Sequence, residues 1–201
     1  MTLTTDEALR ALYAPARERA LKKQLSALDI HCRRFIELSP FAVLASTGAD
    51  GLPDASPRGG QPGFVLTPDA HTLLIPDASG NNRLDTLSNI VATGRLGVLF
   101  MIPGIDETLR VNGFARLTAD QALLERFAGL DRSPKVVIEL RVEQAYLHCA
   151  KALMRSRLWS VDLQVERSVL PSMGQMISDQ IGDGAPVESQ EAMLARYRQE
   201  L

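Results

Sequence analysis

The chain has 201 residues, of which 45% are hydrophobic, with 22 basic against 24 acidic side chains and a net charge of −2. That is ample apolar material for one closed core in the usual size range of a domain, and the interspersed, nearly balanced charge lacks the basic excess of a general nucleic-acid binder. Cys32 and Cys149 stand far apart and outside any CxxC pair, which argues against a disulfide framework or a zinc ribbon, and no apolar run approaches the roughly 20 residues of a membrane span.

The first residues, MTLTTDEALRALY, are polar and acidic where a secretory signal would be basic and then apolar, so the expected location is the cytoplasm. Thr5 to Leu38 reads as two or three helices: Thr5 can cap Asp6-Glu7-Ala8, and Leu21, Leu25 and Leu28 recur at helical spacing after a break near Pro15. From Pro40 the period shortens. The runs FAVLAST, PGFVLT and LLIP, separated by GADGLP, DASPRGG and PDAHT, predict short strands punctuated by Gly, Pro and Asp, as in a β-barrel or sandwich.

A helix from about Arg83 to Ala92 interrupts the series, which resumes at Leu96 to Ile102 and Thr108 to Leu117. A short helix near Ala119 to Ala128, a long strand from Lys135 to Leu147 and a helix from Ala150 to Leu158 follow. The tail from Val169 combines a Gly-rich connection with a final helix, Ser189 to Glu200, capped by Ser189. The expected division is a helical extension (1–34), a barrel domain (35–165) and a C-terminal extension (166–201).

The segment Gly80 to Phe100 carries most of the chemistry. It reads as turn, helix and strand, with Asn82 and Arg83 at the helix entrance, where unpaired N–H groups and a cation together suit a phosphate. The competing reading is an ordinary helix start with a solvated arginine. Arg110, on the strand LRVNG, faces opposite to Leu109 and Val111 and shares its face with Asn112. It reads either as a solvated or cross-strand-paired residue or as a ligand. Gly113 marks a bulge or a close backbone approach.

The block His148 to Trp159 holds four basic side chains and the one Trp of the sequence. Lys151, Arg155 and Leu158 share a helical face that His148 begins, which would aim cations at one anion; the alternative is a basic surface helix with a packing Trp. His148-Cys149 and His31-Cys32 lack a second pair at ligand spacing, so no metal is expected. No Ser-His-Asp order, P-loop or H-E-x-x-H motif supports a hydrolase or nucleotidase, and Asp106 and Glu107 read as solvated loop charges.

Taken in order, AVLAST-GADGLPDASPRG, LLIP, NNRLDTLSNI and LGVLF resemble the split barrel of the pyridoxamine 5′-phosphate oxidase superfamily over about Phe35 to Trp159. The blocks SPRGG, GNNRLDTL, IPGIDETLRVNG and HCAKALMRSRLW are similar to a subfamily of FMN-dependent flavoproteins of unassigned activity. The resemblance implies a mainly β fold with flanking helices, a six-stranded antiparallel split barrel, and a homodimer with FMN at the subunit interface. It implies phosphate binding by Arg83 with Asn82 beside it, and places Ser56-Pro57-Arg58-Gly59 along the flavin ring, with Gly59 and Gly60 allowing close approach. The Pro-Arg-Gly-Gly sequence departs from the vitamin B6 oxidases, so Arg58 is not their phosphate ligand and a B6 substrate is put in question. The block after the last strand would bring Lys151, Arg155 and Trp159 to the flavin edge of the partner subunit. The implied activity is an FMN-dependent oxidoreductase acting on a small substrate; the alternative is a flavin-binding carrier or redox sensor, with deazaflavin or haem as other cofactors known in the superfamily.

Overall fold

The computed structural model describes residues 2–78, 80, 82–130, 132–182, 184 and 186–200. Among these, six strands and eight α-helices follow one another as α1 (Asp6–Arg10), α2 (Glu18–Lys22), α3 (Ile30–Leu38), β1 (Phe41–Thr47), β2 (Pro53–Gly59), β3 (Thr72–Asp77), α4 (Asp85–Thr93), β4 (Arg95–Met101), β5 (Thr108–Thr118), α5 (Gln121–Glu125), β6 (Val136–His148), α6 (Lys151–Ser156), α7 (Met173–Ile181) and α8 (Gln190–Glu200). The strands form one antiparallel sheet in the order β2-β1-β4-β5-β6-β3, curled into a split barrel.

Alternation decides which side chains enter the barrel. Ala42 and Leu44 of β1, Leu96, Val98 and Phe100 of β4, and Leu109 and Val111 of β5 are all buried and meet in one core with Cys32 and Ile36 of α3 and Leu87 and Ile90 of α4. β3 breaks the alternation because both of its faces are covered. Leu73 and Ile75 point into the main core, while Leu74 packs with Val137 and Phe127 in a second cluster that Leu123 and Leu124 of the α5 region complete.

The predicted caps are in place: the Thr5 hydroxyl accepts from Ala8 N at 3.2 Å and the Ser189 hydroxyl from Ala192 N at 3.1 Å. Two predicted elements differ. Leu25 and Leu28 do not continue a helix: Leu25 is bridged to Ala145 on β6, and Leu28 is buried in the core with its N–H on Ala70 O. Sheet pairing there outweighs a weak helical preference. The run PGFVLT contributes a single bridge, Leu66 to Leu74, in place of a strand, while Phe64 and Val65 plug the core. The tail also contains α7, capped by Ser172, where a Gly-rich connection was expected.

The long β5–β6 ladder shifts register between Asn112 and Gly113. Gly113 is held there by contact: a Cβ on it would lie 1.9 Å from the carbonyl oxygen of Arg141. The extra residue of the bulge is Glu143, which turns outward and pairs with Arg95 of β4 at 2.8 Å. Gly113→Ala is expected to cost roughly 3 kcal/mol through forced displacement of β6. Chemical denaturation checks this, and an unchanged midpoint would show that the ladder yields freely.

Candidate functional site

β2 and β3 are the two outer strands of the sheet and share no backbone ladder, so the barrel is open between them. Arg58, near the end of β2, reaches across this seam to Asp77 at the end of β3, with Nη2 donating to Oδ1 at 3.1 Å. Its Nη1 donates to Ser56 Oγ at 2.6 Å and to the Pro57 carbonyl at 2.9 Å. The two charged side chains retain only 22% and 15% of their exposure, so the ion pair is largely shielded from solvent.

Along this seam lies a cleft of about 1090 Å³. One wall is β2, with Ser56, Pro57, Arg58 and Gly59; the entrance of α4, with Asn82 and Arg83, forms part of the rim. The opposite wall, from the end of α5 to the start of β6, presents Arg132 and Lys135. Six of the residues expected from sequence at a ligand site thus share one cleft. A Cβ on Gly59 would meet nothing closer than Pro40 O at 3.6 Å, so the backbone is bare at this end of the wall. Gly60 has a different role, since a Cβ there would press on Phe64 Cβ at 2.8 Å.

The entrance of α4 is tied to the sheet by a buried polar chain. Thr86 Oγ1 donates to Asp54 Oδ2 at 2.6 Å, Ser46 Oγ donates to the same oxygen at 3.3 Å, and Asn89 Nδ2 donates to Ser46 Oγ at 3.0 Å. Asn82 and Leu84 have left-handed backbones, with φ of 59° and 61°. Asn tolerates this region, whereas a leucine there is strained. The strained turn holds Arg83 at the cleft rim, exposed and paired with Asp85 at 2.8 Å. Such an exposed pair contributes little and exchanges readily for another anion.

Arg110, Lys151, Arg155 and Trp159 do not line this cleft in the same chain. Lys151 and Arg155 are exposed one helical turn apart on α6, and the Trp159 indole donates to Ile105 O at 3.0 Å, fastening the segment after α6 to the β4–β5 loop. His148 is the last residue of β6 and not the start of the helical face. It belongs instead with Arg110, whose guanidinium lies over the Tyr146 ring at 4.6 Å, and with Lys23, 5.4 Å from the same ring. Burial, with Arg110 and Lys23 beside it, lowers the His148 pKa. Burial pushes the Cys32 thiol up to about 11, which makes it inert. Among the described residues no group of His, Cys, Asp and Glu is placed to hold a metal ion, and no helix is long and apolar enough to cross a membrane.

Sequence reasoning missed Asp77, Asp54 and Thr86. Asp77 ends an apolar strand, a weak signal by itself; its partner lies on the opposite edge of the sheet and carries no local trace.

A family model described as pyridoxamine 5′-phosphate oxidase matches residues 28–149, more than half of the chain. Among curated proteins none matches. Among solved structures, HupZ of Group A Streptococcus and a histidine-to-alanine variant of it are similar to this chain, each at 19% identity with a TM-score of 0.51. Each likeness covers 60% of this chain, and 93% and 99% of those chains respectively, and it concerns the fold.

Two outcomes follow from this geometry. Asp77→Asn should lower stability by about 1–2 kcal/mol, between the values for exposed and fully buried pairs, as read from urea denaturation; no change would mean the seam closes without the pair. As pH falls below the ordinary histidine value of 6.5, the unfolded chain takes up a proton before folded His148 does, so stability should fall as the pH drops through and below that value. His148→Gln should flatten that slope in thermal denaturation, and an unaltered slope would assign it to other groups.

Proposed function

Because the chain belongs to the pyridoxamine 5′-phosphate oxidase family, a family of flavin-binding split barrels, we propose that it is an FMN-dependent oxidoreductase acting on a small organic substrate, working as a cytoplasmic homodimer. The observation that carries this reading is the seam cleft, whose volume of about 1090 Å³ reaches the upper end of small-molecule sites and whose rim combines bare backbone with cations.

The residues present fit the cofactor. Arg83, with a planar fork of donors, and the Asn82 amide would hold the phosphate at the entrance of α4. Ser56, Pro57 and Gly59 would border the ring, and Arg58, already committed to Asp77, would shape the wall without taking the phosphate. Bound FMN would supply two-electron redox chemistry. This chain's contribution is to orient the cofactor, to exclude water along the Phe64 side, and to set positive charge near it through Arg132 and Lys135.

The homodimer is supported by the outer face of the sheet. Phe41, Val43 and Ala45 lie in register with Met101, Leu99 and Gly97 on one side and with Gly59, Pro57 and Ala55 on the other, an apolar stretch on the face of the sheet opposite the core residues Ala42, Leu44, Val98 and Phe100. Pro57 and Gly59 belong to both this face and the cleft wall, so a partner packed here would border the cleft. A two-fold partner is then the means by which Lys151, Arg155 and Trp159 would reach the cofactor edge.

A carrier or redox sensor would use the same cleft, and turnover separates the two readings. Purified protein should show flavin absorption bands or quench FMN fluorescence on titration. Arg83→Ala should weaken FMN binding about ten- to a hundredfold, the range for a lost hydrogen bond to a charged group. Unchanged affinity would remove Arg83 from the site, and a protein that ignores FMN would remove the proposed cofactor.

A further inference from the structure

We propose that Lys23, Arg110 and His148, gathered around Tyr146 on the outer face of β5 and β6, form a second ligand site, outside the seam cleft, for a compact oxyanion such as the carboxylate or phosphate group of a small molecule. The cross-strand pattern of the sheet points to it. Arg116 stands directly opposite Glu139 and bonds it, and Arg95 is met by Glu143. Arg110 stands directly opposite Tyr146, whose ring supports the guanidinium face without neutralising its charge.

The Nε–H of Arg110 is buried and has no acceptor. A buried charged donor left unsatisfied is costly, and an anion placed against it would remove that cost. Lys23 is brought to the same place by the two 2.9 Å backbone bonds between Leu25 and Ala145. Its Nζ donates to Leu147 O at 2.7 Å and has two further protons to offer. His148, two residues after Tyr146 on the same face, packs against it in a tilted arrangement at 4.9 Å between ring centroids and supplies a neutral N–H donor at pH 7. Among the described residues no carboxylate hydrogen-bonds or ion-pairs with any of the three. Two cations and a neutral donor therefore converge where the described residues provide no counter-charge.

The site needs no flavin, so its test is separate from that of the proposed function. The C2–H resonances of His31, His71 and His148 are followed by NMR against pH in the full chain, with inorganic sulfate added and sodium chloride matching the ionic strength. His148 is identified by its loss in His148→Gln. Sulfate should raise the His148 pKa saturably by about 1 pH unit, the effect of a neighbouring opposite charge, and leave His31 and His71 unmoved. The response should vanish in Arg110→Gln and in Lys23→Met. The second variant alters an exposed side chain and keeps the test open if the first fails to fold.

No saturable rise, or an equal rise in both variants, overturns the site. A rise that follows protein concentration in place of sulfate overturns it as a small-molecule site and assigns the anion to a second copy of the chain. Competition between FMN and sulfate for the His148 response overturns it as a site distinct from the cleft.

Discussion

A curled sheet whose outer strands do not hydrogen-bond each other has to leave a seam, and here one ion pair spans it. Arg58 and Asp77 connect β2 to β3, the two ends of the strand order, and the cleft follows the line they cross. The two unpaired strand edges are thereby tied to each other through side chains and flanked by the α4 entrance. The same pair fixes what Arg58 can do. With its donors on Asp77, Ser56 and Pro57, it is a structural member of the wall, and Arg83, Arg132 and Lys135 are the further basic residues that line the cleft.

The entrance of α4 is positioned from inside. Asp54 accepts from both Thr86 and Ser46, so the helix start, β1 and β2 meet at one carboxylate. Holding this junction allows the turn at Asn82 and Leu84 to keep two left-handed residues, which an untethered turn would relax. Order below the turn and strain within it are two sides of one arrangement.

The bulge at Gly113 sets a second constraint, on the other side of the barrel. Without this bulge the register would be unbroken, Arg110 would stand opposite Ala145 on the outer face, and Tyr146 and His148 would point into the core. With it, Tyr146 and His148 turn outward beside Arg110, and Glu143 is released to Arg95. One glycine that cannot accept a Cβ therefore determines both the neutral pairing around β4 and the unbalanced cationic cluster at the end of β6.

Much of this architecture was legible along the chain. Alternation revealed β1, β4, β5 and β6 and the outward face of Arg110; Thr5 and Ser189 marked helix starts; Gly113 announced the bulge; and Asn82-Arg83 before an amphipathic run marked the cleft rim. These features are written locally, because burial period, capping and glycine-only geometry each depend on a few neighbouring residues. The tertiary structure alone decided that Leu25 joins β6, that Asp77 answers Arg58, that Asp54 holds Thr86, and that Lys151, Arg155 and Trp159 stand apart from the cleft of their own chain. Each of these depends on how far the sheet curls and which edges approach, a property of the whole set of strands that no single segment encodes.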